Sequence, residues 1–408
     1  MELIRRKTYM AKLVAFKDKD VVKVVTGVRR CGKSVLLQMF QDYLRDEGVS
    51  DKRIVSLNLE EYESRELHNP DTLYVYVKER LVPGEMTYVF IDEIQYCENF
   101  PAVIDGLYVK KNVDIYVTGS NAFMQSHDIA TMLSGRYVEI PMLPLSFKEY
   151  CEATESAPGT LSEKYSHYLQ RSSFPYALVF GEKRNDIYTY LEGLYNTIIV
   201  KDIATRLNIN DVMVLESVVR FIFDNIGSRV SSKKIADTLT SQGRKTTSKT
   251  VERYIYGLCE SFIIYEAKRY NIRGKQHLKT LEKYYVVDIG LRYFLLGTAS
   301  GDVGHILENV VYLELIRRGY EVYVGKLDDL EVDFVVRNHT GMAYVQVAAT
   351  VREASTLDRE LKPLQHIADS YPKILLTLDD DPEANYDGIR RVNALQWLIG
   401  KSDIFPQT

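Results

Sequence analysis

The stretch with the most chemical potential is Gly27-Val28-Arg29-Arg30-Cys31-Gly32-Lys33-Ser34, which fits G-x-x-x-x-G-K-[ST]. Glycines at both ends let the backbone curl until its amides face one point, and with Val35 the turn becomes a cradle for a β-phosphate. Lys33 would bridge the β- and γ-phosphates, and the Ser34 hydroxyl would hold Mg²⁺. Sixty residues on, Tyr88-Val89-Phe90-Ile91-Asp92-Glu93 is an apolar run ending in two carboxylates. Asp92 would bind the same metal ion, and Glu93 would orient and deprotonate an attacking water. Gly119-Ser120-Asn121 follows another apolar run, so Ser120 and Asn121 are candidates to sense a γ-phosphate; turn chemistry is the plainer reading. Ser134-Gly135-Arg136 offers a guanidinium that would stabilise transferring phosphate, from the same chain or from a neighbouring copy. Its plain reading is a surface arginine paired with an acid. Cys31, beside Lys33, reads as inert filler rather than a reactive thiol.

These residues need a frame that puts strand ends together. Across the first 150 residues, short apolar runs alternate with helical patterns: Val21–Thr26, Ile54–Leu59, Tyr88–Asp92, Ile115–Thr118 and Tyr137–Ile140. Each is largely apolar and rich in β-branched or aromatic residues, as suits a parallel strand covered on both faces. The helix opening at Lys33 carries Val35, Leu36, Met39, Phe40, Tyr43 and Leu44 and closes at Gly48. The expected fold is therefore α/β, a P-loop nucleotide-binding sheet with helices on both faces. Residues 151–208 read as a helical lid, 209–279 as a winged helix-turn-helix, and 280–408 as a further α/β unit.

The ordered set GVRRCGKS (27–34), VFIDEIQ (89–95), VTGSNAF (117–123) and LSGRYVEIPMLPLSFKEY (133–150) resembles the prokaryotic AAA-like ATPases with a restriction-endonuclease-like C-terminal domain. That family is allied to the STAND and origin-recognition-type ATPases. The resemblance extends to Phe174-Pro175-Tyr176 and Val200-Lys201-Asp202-Ile203 in the lid. The family pattern often has glycine before the aromatic, where this chain has Ser172-Ser173. What the resemblance implies is ATP as ligand with Mg²⁺, hydrolysis, a winged helix, and a nuclease-like tail.

Residues 225–283 hold 13 Lys/Arg against 5 Asp/Glu, a local charge of +8 in a chain whose total is −4. Ser231–Leu239 reads as a capped helix, Ser248–Ile255 as a second, and Phe262–Tyr265 with Arg269 and Arg273 as a wing. Lys245, Lys249 and Arg253 would then face duplex DNA; the plainer alternative is a solvated basic face that packs on a partner protein. In the tail, Glu308 on a helix and Asp333 on a strand follow the order of metal-dependent nucleases. The third element, which should read E-x-K, is Gln346-Val347-Ala348. An amide and a methyl group can neither charge a metal site nor position water, so the fold is expected without nuclease chemistry. Lys362 is the candidate for a lysine moved to another element.

Composition narrows the function classes. A net charge of −4 rules out a general polycation. Four scattered cysteines without a CxxC pair argue against a disulfide framework and fit a reducing cytoplasm. No uncharged run is long enough to predict a membrane span. The leading expectation is an ATPase whose turnover moves the lid, winged-helix and tail units, with a homo-oligomer if Arg136 reaches a neighbour. The competing readings are a nucleotide-gated switch or scaffold with negligible turnover, and an ATP-dependent nuclease.

Overall fold

The computed structural model describes residues 4–119, 135–209, 211–297, 302–339 and 341–405. Two compact units are present: Met1–Pro144 with Glu260–Phe262, and Leu145–Cys259 with Ile263–Thr408.

In the first unit, β1 (Val22–Thr26), β2 (Ile54–Asn58), β3 (Thr87–Asp92), β4 (Val113–Gly119) and β5 (Tyr137–Pro141) form one sheet in the order β2-β3-β4-β1-β5. All four pairings are parallel. Every residue of β1 and β3 is buried, as continuous apolar runs require when helices cover both faces. The lysine inside β1 is the exception that obeys the rule: Lys23 pairs with Asp114, which also accepts 2.8 Å from the Tyr116 hydroxyl. Around the sheet lie α1 (Lys7–Phe16), α2 (Lys33–Asp46), α3 (Pro70–Lys78) and α4 (Phe100–Tyr108). Leu73 and Val77 of α3 and Val103, Ile104 and Leu107 of α4 bury against Val55, Val89 and Ile91. Because β4 lies between β1 and β3, the carboxyl ends of three neighbouring strands open on one crevice, the usual ligand position of an open α/β sheet.

The second unit begins with α5 (Phe147–Ala153), α6 (Leu161–Arg171) and α7 (Arg184–Asn196), followed by a π-helical stretch Thr197–Ala204. Both α5 and α6 start on complete capping boxes, Ser146 with Glu149 and Thr160 with Glu163. Next come α8 (Val212–Asp224), α9 (Ser232–Ser241) and α10 (Ser248–Glu260). The hairpin β6 (Ile264–Asn271) and β7 (Gln276–Val286) follows, then α11 (Ile289–Leu296) and α12 (Val303–Arg317). β8 (Glu321–Leu327), β9 (Leu330–Asn338), β10 (Gly341–Ala348), α13 (Ala354–Gln365), β11 (Lys373–Thr377), β12 (Ala384–Tyr386), β13 (Ile389–Asn393) and α14 (Ala394–Leu398) complete it.

One sheet of eight strands runs β12-β13-β11-β10-β9-β8-β6-β7. Most of the segment expected as a wing lies on β6, which pairs antiparallel with β7 and parallel with β8. A boundary at 279/280 therefore falls inside a hydrogen-bonded strand, β7, and the β6–β7 hairpin and the tail strands share a sheet.

Candidate functional site

The loop 27–34 leaves β1 at its carboxyl end and takes backbone conformations that its glycines make possible. Gly27 has φ +145°, and a Cβ there would lie 2.1 Å from the Met142 carbonyl oxygen, so no other residue fits. Gly32 caps α2 with φ +104°, and Arg30 sits in the left-handed region at φ +66°. The Lys33 ammonium is buried and donates to the Gly27 carbonyl at 3.0 Å and the Val28 carbonyl at 3.2 Å. Arg29 pairs with Glu60 at the outer edge of the loop.

Opposite the loop, β3 ends at Asp92 and the chain turns left-handed at Glu93 (φ +52°). Asp92 is buried, and burial pushes its carboxyl above the usual range while hydrogen bonds from the Ser34 and Thr118 hydroxyls pull it back. Ser34 and Asp92 thus meet, offering the hard oxygen donors that suit Mg²⁺; this pair fits the ion. The Glu93 amide donates 3.0 Å to the Thr118 hydroxyl, so β4 fixes the turn that aims the carboxylate. The Gln95 amide grips the Glu93 carboxylate. Val28, Cys31 and Leu36 are buried beneath the cradle, and Val35 is exposed. Burial pushes the Cys31 thiol up, against a weaker pull from Lys33, and so keeps it protonated and inert.

Thr118, Gln95 and Arg6 belong to this site, and the sequence reading did not select them. The buried Arg6 guanidinium donates 3.0 Å to the Cys31 carbonyl and 2.6 Å to the Leu143 carbonyl, tying the loop to the segment just past β5. An arginine before an amphipathic helix carries no sequence signal for that role. Ser120 and Asn121 lie outside the described residues.

Arg136 stands at the wrong end of the sheet for a role in its own chain. β5 runs parallel to β1 with Tyr137 beside Val22 and Pro141 beside Thr26. The Arg136 carbonyl accepts 2.9 Å from Val22, and its guanidinium lies 5.3 Å from the centre of the Tyr108 ring. Five strand steps, roughly 16 Å, separate it from the strand end beside Thr26 where the cradle begins.

In the second unit, Lys249 and Arg253 are both exposed, one turn apart on α10, with Lys245 exposed in the preceding turn. Val251, Tyr254 and Leu258 bury the opposite face of that helix. Ser173 donates through its amide and hydroxyl to Asp288 at 2.6 and 2.7 Å, and Ser172 takes φ +80°. Both serines are therefore engaged inside their own unit.

The tail brings Glu308, Asp333 and Gln346 together, and adds a residue the sequence reading passed over. Lys283, on β7, lies 2.9 Å from Glu308 and 3.0 Å from Glu331. Burial opposes its charge, but Glu308, Asp333 and Glu331 outweigh burial and hold the ammonium above its usual range. Lys362 is exposed on α13, and Ala348 packs among Val351, Leu361 and Leu364. The signal for Lys283 was present as a lysine set against the apolar run Tyr284–Val287.

Residues 19–151 match the AAA domain family, and residues 162–302 match a domain of unknown function. An uncharacterized protein of Haemophilus influenzae is 40% identical over 400 residues, covering 97% of this chain and 99% of its own. An uncharacterized protein of Methanocaldococcus jannaschii is 28% identical over 362 residues, covering 84% of this chain and 77% of its own. Among solved structures, a Walker-type ATPase of Pyrococcus abyssi superposes with a TM-score of 0.51 over 72% of this chain and 96% of its own, at 15% identity, a likeness of fold. With its glycine cradle, its paired carboxylates and a relative that matches it end to end, the chain belongs to the prokaryotic AAA-like P-loop ATPases.

Proposed function

We propose that the chain binds ATP with Mg²⁺ in the 27–34 cradle and hydrolyses it. The observation that carries this reading is the meeting of Lys33, Ser34, Asp92 and Glu93 beyond the carboxyl ends of β1 and β3, two parallel strands separated by β4. Amides of the loop would receive the β-phosphate, and the Lys33 ammonium would leave its carbonyl partners for the β- and γ-phosphates. Ser34 and Asp92 would hold Mg²⁺, which when bound neutralises charge on the phosphate oxygens. Glu93 would take the proton of the attacking water. Steady-state phosphate release tests this: turnover should be present in the wild type and abolished by Lys33→Ala. Equal release from both proteins would refute it.

The engagement of Glu93 by Gln95 favours a second reading, a switch that binds ATP but turns over negligibly until a partner releases the glutamate. Release that stays at the blank rate until duplex DNA or a protein partner is added would select it. The exposed Lys249–Arg253 face supports double-stranded DNA as that partner, with the basic stretch 225–283 supplying the attraction. Nucleotide state would then reposition the helix-turn-helix and tail, and the tail would contribute no DNA cleavage.

A further inference from the structure

We propose that the Lys283 ammonium stands permanently where the restriction-endonuclease-like fold would hold a divalent cation, making the tail a metal-free core centred on an internal ion. Its Nζ is 2.9 Å from Glu308 Oε1, 3.0 Å from Glu331 Oε1 and 3.8 Å from Asp333 Oδ1. These are the acids a cation would need, contributed by α12 and β9. A divalent ion would take such oxygens at about 2.0–2.6 Å, so ion and ammonium exclude each other.

Two of these carboxylates also accept from other donors. Tyr285 donates 2.6 Å to Glu308 Oε1, and the Val347 amide donates 2.9 Å to Asp333 Oδ2. Gln346 accepts 3.2 Å from the Asp333 amide and donates 2.9 Å to Glu360, so the residue in the third ligand position is spent on internal bonds. Among the described residues no grouping of three or more His, Cys, Asp or Glu is arranged to hold a metal ion.

The cluster is covered as well as filled. Residues 227–230 run beside β7, with Gly227 donating 3.2 Å to Tyr284 and Val230 donating 3.2 Å to Glu282. A Cβ on Gly227 would lie 3.1 Å from the Glu308 carboxylate, and Arg229 reaches Glu331 at 3.1 Å. A phosphodiester would have to displace this segment to approach the acids. Lysine and arginine thus do by ion pairing what a metal would do by ligation, and they tie the segment entering α9 to the tail sheet. The inference does not depend on the nucleotide reading.

The test uses the full-length protein without nucleotide and MnCl₂ alone as probe, with free Mn²⁺ counted by electron paramagnetic resonance. The wild type should show no Mn²⁺ uptake that depends on Asp333, and no change of melting temperature with Mn²⁺ or chelator. Lys283→Ala should take up about one Mn²⁺ per chain and melt higher when it is supplied, and adding Asp333→Asn should abolish both effects. Wild-type uptake that disappears in Asp333→Asn overturns the proposal, as does a folded Lys283→Ala protein that takes up no more than the wild type. Should Lys283→Ala not fold, the wild-type pair decides: melting indifferent to Mn²⁺ supports the proposal, and an Asp333-dependent rise contradicts it.

Discussion

At the scale of single residues, the site separates binding from chemistry. Glu93 is fixed through its amide to Thr118 rather than by the cradle, so changing its side chain leaves the phosphate contacts in place. Glu93→Gln should bind ATP with wild-type affinity and hydrolyse it about 10²–10⁴-fold more slowly, measured by phosphate release at saturating ATP. Equal rates would remove Glu93 from the proton transfer. Glu139 provides a separate test, on stability. Burial pushes its carboxyl above the ordinary 4.5, and the hydrogen bond from Thr26 pulls it partly back. A group that holds its proton more tightly in the folded chain stabilises the fold in acid. That contribution is complete below the ordinary value and is lost as pH rises through the raised one. Glu139→Gln mimics the protonated form and should gain stability over the wild type as pH climbs from about 4 to about 7 in urea unfolding. A difference that does not change with pH would contradict the assignment.

Elements explain what was legible in the sequence. β1 and β3 stood out because strands covered on both faces are built largely of apolar residues, and the cradle was legible because glycine is required where Gly27 meets the Met142 carbonyl. β7 was legible only at its apolar end. Its first half, Gln276–Thr280, is polar edge strand, and nothing local to it records that β6 has a second neighbour in β8. β8 was hidden by Gly325, whose missing side chain makes room for Val332 and Val335. Lys283 was missed because a lysine was sought beside Gln346, whereas the sheet brings it from another strand. α10 carries this scale's prediction. Lys249→Ala with Arg253→Ala should weaken duplex binding about equally for all sequences and reduce the dependence of log K on log salt by about 1–2 units. An unchanged salt dependence would mean that the exposed face does not meet phosphates.

For the whole molecule, the described residues contain no helix long and apolar enough to cross a membrane. The charge is divided, with +8 in 225–283 against −12 elsewhere, so any attraction to nucleic acid must act through one region rather than the entire surface. Arg136 links this scale to the cradle. Standing at the amino end of β5, it can serve catalysis only on a neighbouring copy, and Arg136→Ala should then lower turnover about 10³-fold or more while ATP binding persists. Light scattering with a non-hydrolysable ATP analogue should show larger assemblies than without it. A monomer in both conditions would leave Arg136 with its Tyr108 contact alone. The central claim remains the cradle, and titration calorimetry of ATP with Mg²⁺ into wild-type and Lys33→Ala protein tests it most directly. The account predicts about one ATP per wild-type chain and a loss of about 100-fold or more in affinity for the variant, the worth of a buried charge-assisted contact. No heat of binding in the folded wild type, or equal affinity in both proteins, would contradict it.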